Sequence, residues 1–162
     1  MKVLVISAAY PPMHAGEATN TYHLCRQLTE RGIDIHVLTS VGNVGTYYPR
    51  TRVYPIMQTW GWLELLRVRS FLENCSPDAV FLMYIGLMYK FHPMVTFLPT
   101  LSKGLFPNVP FVTRYESAFV GADPSKTGIV SRLFRKLMVQ WAGGKDVVYS
   151  SGTLLRDSDA VI

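Results

Sequence analysis

The chain has 162 residues, 49% of them apolar and 17% charged, with 16 basic side chains, 11 acidic ones and two cysteines. That length and balance suit one globular domain with a sizeable core and exclude a disordered or solvating segment. The formal charge of +5 admits anionic partners without choosing among them, and two cysteines exclude a disulfide framework.

Mean hydropathy is +0.17, high enough to look for a membrane span. The most apolar stretch, residues 79–89, closes at Lys90, His92 and Pro93. It falls short of the roughly 20 residues that a spanning helix needs. Cys25 and Cys75 read as reduced core thiols, as in a cytoplasmic protein.

From the first residues, strand and helix alternate. Residues 2–7 are a β-branched run of the kind buried on both faces, and Pro11 and Pro12 end it. No cleavable leader is expected from that pattern. Ala18, Tyr22, Cys25 and Leu28 recur at helical spacing, Gly32 stops the helix, and residues 33–39 form the next strand. This is a right-handed, parallel βαβ unit. Residues 41–49 read as a loop, 52–56 as a short strand and 62–74 as a helix broken by Ser76, Pro77 and Asp78. Strands follow at 79–83 and 109–113, on either side of a helix at 93–103 interrupted by Pro99. Residues 128–141 form a strongly patterned helix, and 146–149 take no clear assignment. A short helix at 153–157 precedes a strand opening at 160–162. The fold class is therefore α/β, a doubly wound, mainly parallel Rossmann-like sheet with helices on both faces. An apolar run unfinished at Ile162 is read as the mark of a fragment.

In such a sheet, ligands lie beyond the carboxyl ends of the strands. Four segments qualify: 8–17, 39–45, 84–92 and 114–123. In the first, His14, Ala15, Gly16 and Glu17 lead into a helix N-terminus, whose free N–H groups suit a phosphate or carboxylate. Gly16 either admits close backbone approach or merely starts the helix, with Glu17 complementing its dipole. There is no G-x-G-x-x-G, no Walker A loop, and no acid after the second strand, so a dinucleotide is not expected. His92 is a candidate for the site wall, against the plainer reading of a structural histidine. No group of His, Cys and carboxylates has metal-ligand spacing, and the D-x-D at Asp157 and Asp159 precedes a strand instead of following one. The 128–141 helix puts Val130, Leu133, Phe134, Leu137, Met138 and Trp141 on one face, with Arg132, Arg135 and Lys136 away from it. It reads most simply as a helix covering the sheet, and its basic flanks also suit an anionic membrane.

The residues at 2–7, Pro11 and Pro12, Ala15 to Glu17, Arg31 and Gly32, and His36 to Thr39 together resemble the start of retaining group-1 glycosyltransferases of the GT-B fold. Pro77 to Val80, Pro110 to Thr113 and Ser158 to Ile162 are similar to that family's later landmarks. The resemblance implies that residues 1–162 are the N-terminal, acceptor-side domain of an enzyme moving a sugar from a nucleotide-sugar donor to an acceptor. The donor-binding C-terminal domain, with its E-x7-E carboxylates, would be missing and this chain alone inactive. No cofactor or metal is expected on this reading, nor nucleic acid, since the basic residues are scattered. Peripheral membrane contact would fit a lipid-linked acceptor.

Two departures stand out. Ala15 and Gly16 replace a glycine pair, and Tyr115 occupies the position of a histidine near the reacting sugar. Tyr115 and Glu116 then become the catalytic candidates, with Arg114 for a phosphate, against the alternative of an Arg114–Glu116 surface pair. Two other readings stay open: a non-catalytic acceptor-binding or membrane-docking subunit, and a nucleotide-sugar epimerase of similar architecture.

Overall fold

The computed structural model describes residues 1–44, 48–116, 128–144 and 152–162. Six strands form one sheet: β1 Lys2–Ile6, β2 Asp34–Ser40, β3 Thr51–Met57, β4 Ala79–Tyr84, β5 Phe111–Tyr115 and β6 Ala160–Val161. Every pairing is parallel, in the order β3-β2-β1-β4-β5-β6. Consecutive strands therefore run outward from β1 in one direction, and the chain returns to β1's other side at β4. This reversal opens a crevice above the carboxyl ends of β1 and β4.

The helices are α1 Gly16–Glu30, α2 Glu64–Cys75, α3 Leu98–Leu105, α4 Ile129–Trp141 and α5 Leu154–Asp157. Side-chain alternation sorts the core by face. Val3 and Val5 join Ile35, Val37, Tyr10 and Cys25 under α1. Leu4 and Ile6 join Leu38, Val80, Leu82 and Phe111 under α2 and α3. Both cysteines are buried and free, and burial raises the Cys25 thiol to about 12, far from a reactive thiolate.

Local chemistry explains the boundaries. Gly32, at φ +82°, turns the chain out of α1 while its N–H bonds to Thr29 O at 2.9 Å. Ser76 takes the left-handed position after α2, at φ 44°, immediately before Pro77. The expected helix at 93–103 begins as a 3₁₀ turn, Pro93–Phe97, and becomes helical only at Leu98. Pro99 then lies in the first turn of α3, where its missing N–H costs nothing.

The 146–149 segment lies outside the described residues, as do residue 45 and residues 117–123 of two candidate ligand loops. The 128–141 helix forms, but no residue of α4 is fully buried. It packs against Trp62 and the 3₁₀ turn Pro93–Phe97.

Candidate functional site

The crevice is built by residues from four connections. Ala8 and Met13 follow β1, Ser40 ends β2, Thr59 and Trp60 follow β3, and Met88, Tyr89, Lys90 and His92 follow β4. Together they line a cavity of about 390 Å³. Its wall is mostly apolar with a few polar groups, the composition of a small-molecule site.

The first loop is held in place by side chains from elsewhere. Asn43 is buried and donates its amide to Ala8 O at 3.0 Å and to Thr39 Oγ1 at 3.1 Å. Tyr89, also buried, donates its hydroxyl to Met83 O at 2.8 Å and accepts from the Ala8 N–H at 3.3 Å. Burial pushes the Tyr89 phenol well above its ordinary value, so it is a fixed neutral donor and not an acid. Ser7 donates to Ala9 O at 2.8 Å and adjoins Thr21 Oγ1 at 3.1 Å. The loop is thus tied to α1, β2 and β4.

Aromatic rings continue along the carboxyl ends of the strands. Trp60 meets Tyr89 edge-on at 4.9 Å, Tyr89 stacks on Tyr84 at 5.9 Å, and Tyr84 stacks on Tyr115 at 5.3 Å. Burial, with a smaller contribution from Tyr115, raises the Tyr84 phenol to about 12. Trp60 Nε1 donates to Ser40 Oγ at 3.0 Å, which fixes the indole across the end of β2. Of these residues only Tyr115 was singled out by sequence reasoning; Asn43, Trp60, Tyr84 and Tyr89 were not.

The sequence candidates separate into two groups. His92 does line the cavity. Its Nδ1 accepts the Met94 N–H at 3.2 Å, so the proton of the neutral ring is on Nε2, and burial lowers its pKa. His14, Ala15, Gly16 and Glu17 lie just beyond Met13 at the start of α1. No side chain caps that helix among the described residues, leaving its first-turn N–H groups to solvent or ligand. His14 and Gly16 are exposed, and Ala15 and Glu17 half-buried.

Arg114, Tyr115 and Glu116 are elsewhere, at the end of β5. Arg114 Nη2 and Glu116 Oε1 form an ion pair at 2.5 Å, and the Glu116 N–H bonds to Tyr84 O at 3.1 Å. None of the three lines the cavity. The surface-pair reading describes Arg114 and Glu116 as they stand. Asp157 and Asp159 are also committed: Asp157 to Thr100 and Arg156, and Asp159 to Lys103 Nζ at 2.6 Å and the Phe111 N–H at 2.7 Å. They sit at the start of β6, away from the crevice.

No family model matches the sequence, and no curated protein matches it. Solved structures do. The chain superposes on the Bordetella bronchiseptica enzyme WbmH in complex with NAD+, with a TM-score of 0.52 and 13% identity, over 88% of this chain and 53% of that one. A dTDP-glucose 4,6-dehydratase from Bacillus anthracis in complex with NAD gives 0.48 and 10%, over 87% and 51%. A UDP-glucose 4-epimerase from Thermotoga maritima with UDP-glucose gives 0.45 and 13%, over 88% and 52%. The chain spans about half the length of these proteins, and at such identities the likeness is one of fold.

No GT-B glycosyltransferase is among these neighbours, which corrects the expected family and the glycosyl-transfer activity that came with it. The physical reason is general. Pro11, Gly32, Thr39 and the β-branched runs report a βαβ unit, and every Rossmann-like enzyme has one. The expectation that no cofactor takes part is corrected by the same finding, since WbmH holds NAD+ on this fold.

The residues themselves test that cofactor. The strand order suits a dinucleotide. The turn after β1 does not: residues 7–15 replace a short glycine-rich turn, and Pro11 and Pro12 offer no N–H. A Cβ on Gly16 would meet nothing within 4 Å, so no tight cradle closes there. Ser40 stands at the end of β2 in place of a ribose-binding acid. The chain has the dinucleotide topology without the dinucleotide turn.

Proposed function

We propose that this chain is the nucleotide-binding part of an enzyme of the nucleotide-sugar epimerase type, one domain of a longer protein, and that it makes peripheral contact with a membrane. The ligand group proposed for the crevice is a nucleoside diphosphate, which NAD+ and nucleotide sugars share. The cavity of about 390 Å³ at the point where strand order reverses carries this reading. Trp60, held against Tyr89, lines the cavity for apolar contact with a base or sugar, Lys90 offers an exposed cation, and the uncapped start of α1 offers N–H donors to phosphate. His92, with Nε2–H available, can donate to a sugar hydroxyl.

Calorimetry with NAD+ and with UDP-glucose, alongside Trp60 fluorescence, tests the proposal. Saturable binding of at least one is expected, weakened about tenfold by Trp60→Ala or Lys90→Glu. The preferred ligand tells whether the diphosphate belongs to cofactor or substrate. Failure of both to bind at millimolar concentration rejects the site. The whole enzyme is expected to convert its nucleotide sugar with no acceptor present.

A further inference from the structure

Helix α4 is mounted the wrong way round for a core element. Its inner side is formed by Ser131, Arg135, Met138 and Val139, which are half-buried, and by the buried Ala142 just after it. Ser131 accepts the Trp62 indole N–H at 3.2 Å, and Phe134 stacks on Trp62 at 6.3 Å. The more apolar side faces outward. Ile129 is 83% exposed, Val130 69%, Leu133 58%, Leu137 52% and Trp141 51%. At about 100° per residue these side chains lie within one continuous arc of roughly 120°. Leu63 and Leu66, close to Trp62 in sequence, are also 82% and 69% exposed.

An apolar arc of this size in water calls for a cover, and the charges of the helix indicate which. α4 contains Arg132, Arg135 and Lys136 and no acidic residue. Lys136 is exposed on one border of the arc, where a long cationic side chain can reach lipid headgroups from the apolar boundary, and Arg132 adds positive charge one turn earlier. Trp141 closes the arc at the helix end, and an indole is at home in that interfacial layer. No helix among the described residues is long and apolar enough to cross a membrane. A helix of about 20 Å with these properties lies in the surface plane instead.

We infer that the outward face of α4 docks this protein on the surface of an anionic lipid bilayer. This rests on the membrane contact proposed above and assigns it to one element.

The test is cosedimentation of the purified chain with vesicles of equimolar phosphatidylglycerol and phosphatidylcholine, compared with phosphatidylcholine alone. Binding about tenfold stronger to the anionic vesicles is expected, with weakening by salt and a blue shift of tryptophan emission that Trp141→Phe removes. Leu133→Glu with Leu137→Glu should abolish it while circular dichroism and nucleotide binding stay unchanged, since both side chains are exposed. Absence of vesicle binding overturns both the contact and its assignment. Binding that survives the double substitution overturns the assignment to α4 alone. Equal binding to neutral vesicles overturns the anionic commitment. A dimer that the substitutions dissolve, without vesicle binding, makes the face an interface between copies and overturns the inference.

Discussion

Gly152 makes the sharpest residue-scale prediction. It has φ +52°, and a Cβ there would lie 2.1 Å from Thr96 Oγ1 and 2.9 Å from Thr96 O. Neither the backbone conformation nor the contact tolerates a side chain. Gly152→Ala should cost roughly 2–4 kcal/mol, read as a lower urea midpoint at an unchanged slope. His92 makes a prediction in pH. Its folded-state pKa is depressed by burial, so between that value and the ordinary 6.5 the unfolded chain binds a proton that the native chain does not. Stability should therefore be complete above about pH 6.5 and fall as the solution is acidified. His36, depressed by burial with smaller contributions from Lys2 and Arg52, adds to the same slope. His92→Asn keeps an acceptor for the Met94 N–H and removes a titrating group. It should flatten the slope below pH 6.5, and an unchanged slope would assign the whole effect elsewhere.

At the scale of elements, the Trp62–Ser131 hydrogen bond is one of the contacts that hold α4. Ser131→Ala should cost about 1 kcal/mol and increase amide exchange in α4 before the rest of the chain. Most elements were legible in the sequence because their signals are local. The β-branched run of β1 and the Gly32 stop each depend on neighbours a few residues away, whereas Pro99, read as an interruption, stands in the first turn of α3. The orientation of α4 was not, because an amphipathic pattern says which face is apolar but not what stands opposite it. The crevice was half legible for the same reason. His92 and the start of α1 could be placed by strand order. The anchors could not: Asn43 reaches Ala8 across 35 positions and Tyr89 across 81. Neither an asparagine in a loop nor a tyrosine in an apolar stretch advertises such a partner.

For the molecule as a whole, the sheet centre carries the stability. Leu4, Ile6 and Leu82 are fully buried at the junction of β1 and β4, beneath the crevice. Leu82→Ala should cost about 2–5 kcal/mol by chemical denaturation, and through the same junction weaken nucleotide binding. A loss of stability with unaltered binding would separate the crevice from the core below it.

The two margins of this sheet differ in what they permit. On β3 the alternation of backbone groups sends every second amide away from β2, and Pro55 occupies one of those outward positions, where it has no hydrogen to give. A register shift opposite, between Thr39 and Ser40, further disrupts that margin. On β6, Ala160 and Val161 are exposed and carry no such block. Among the described residues, an added strand thus meets an obstacle on β3 that β6 does not present.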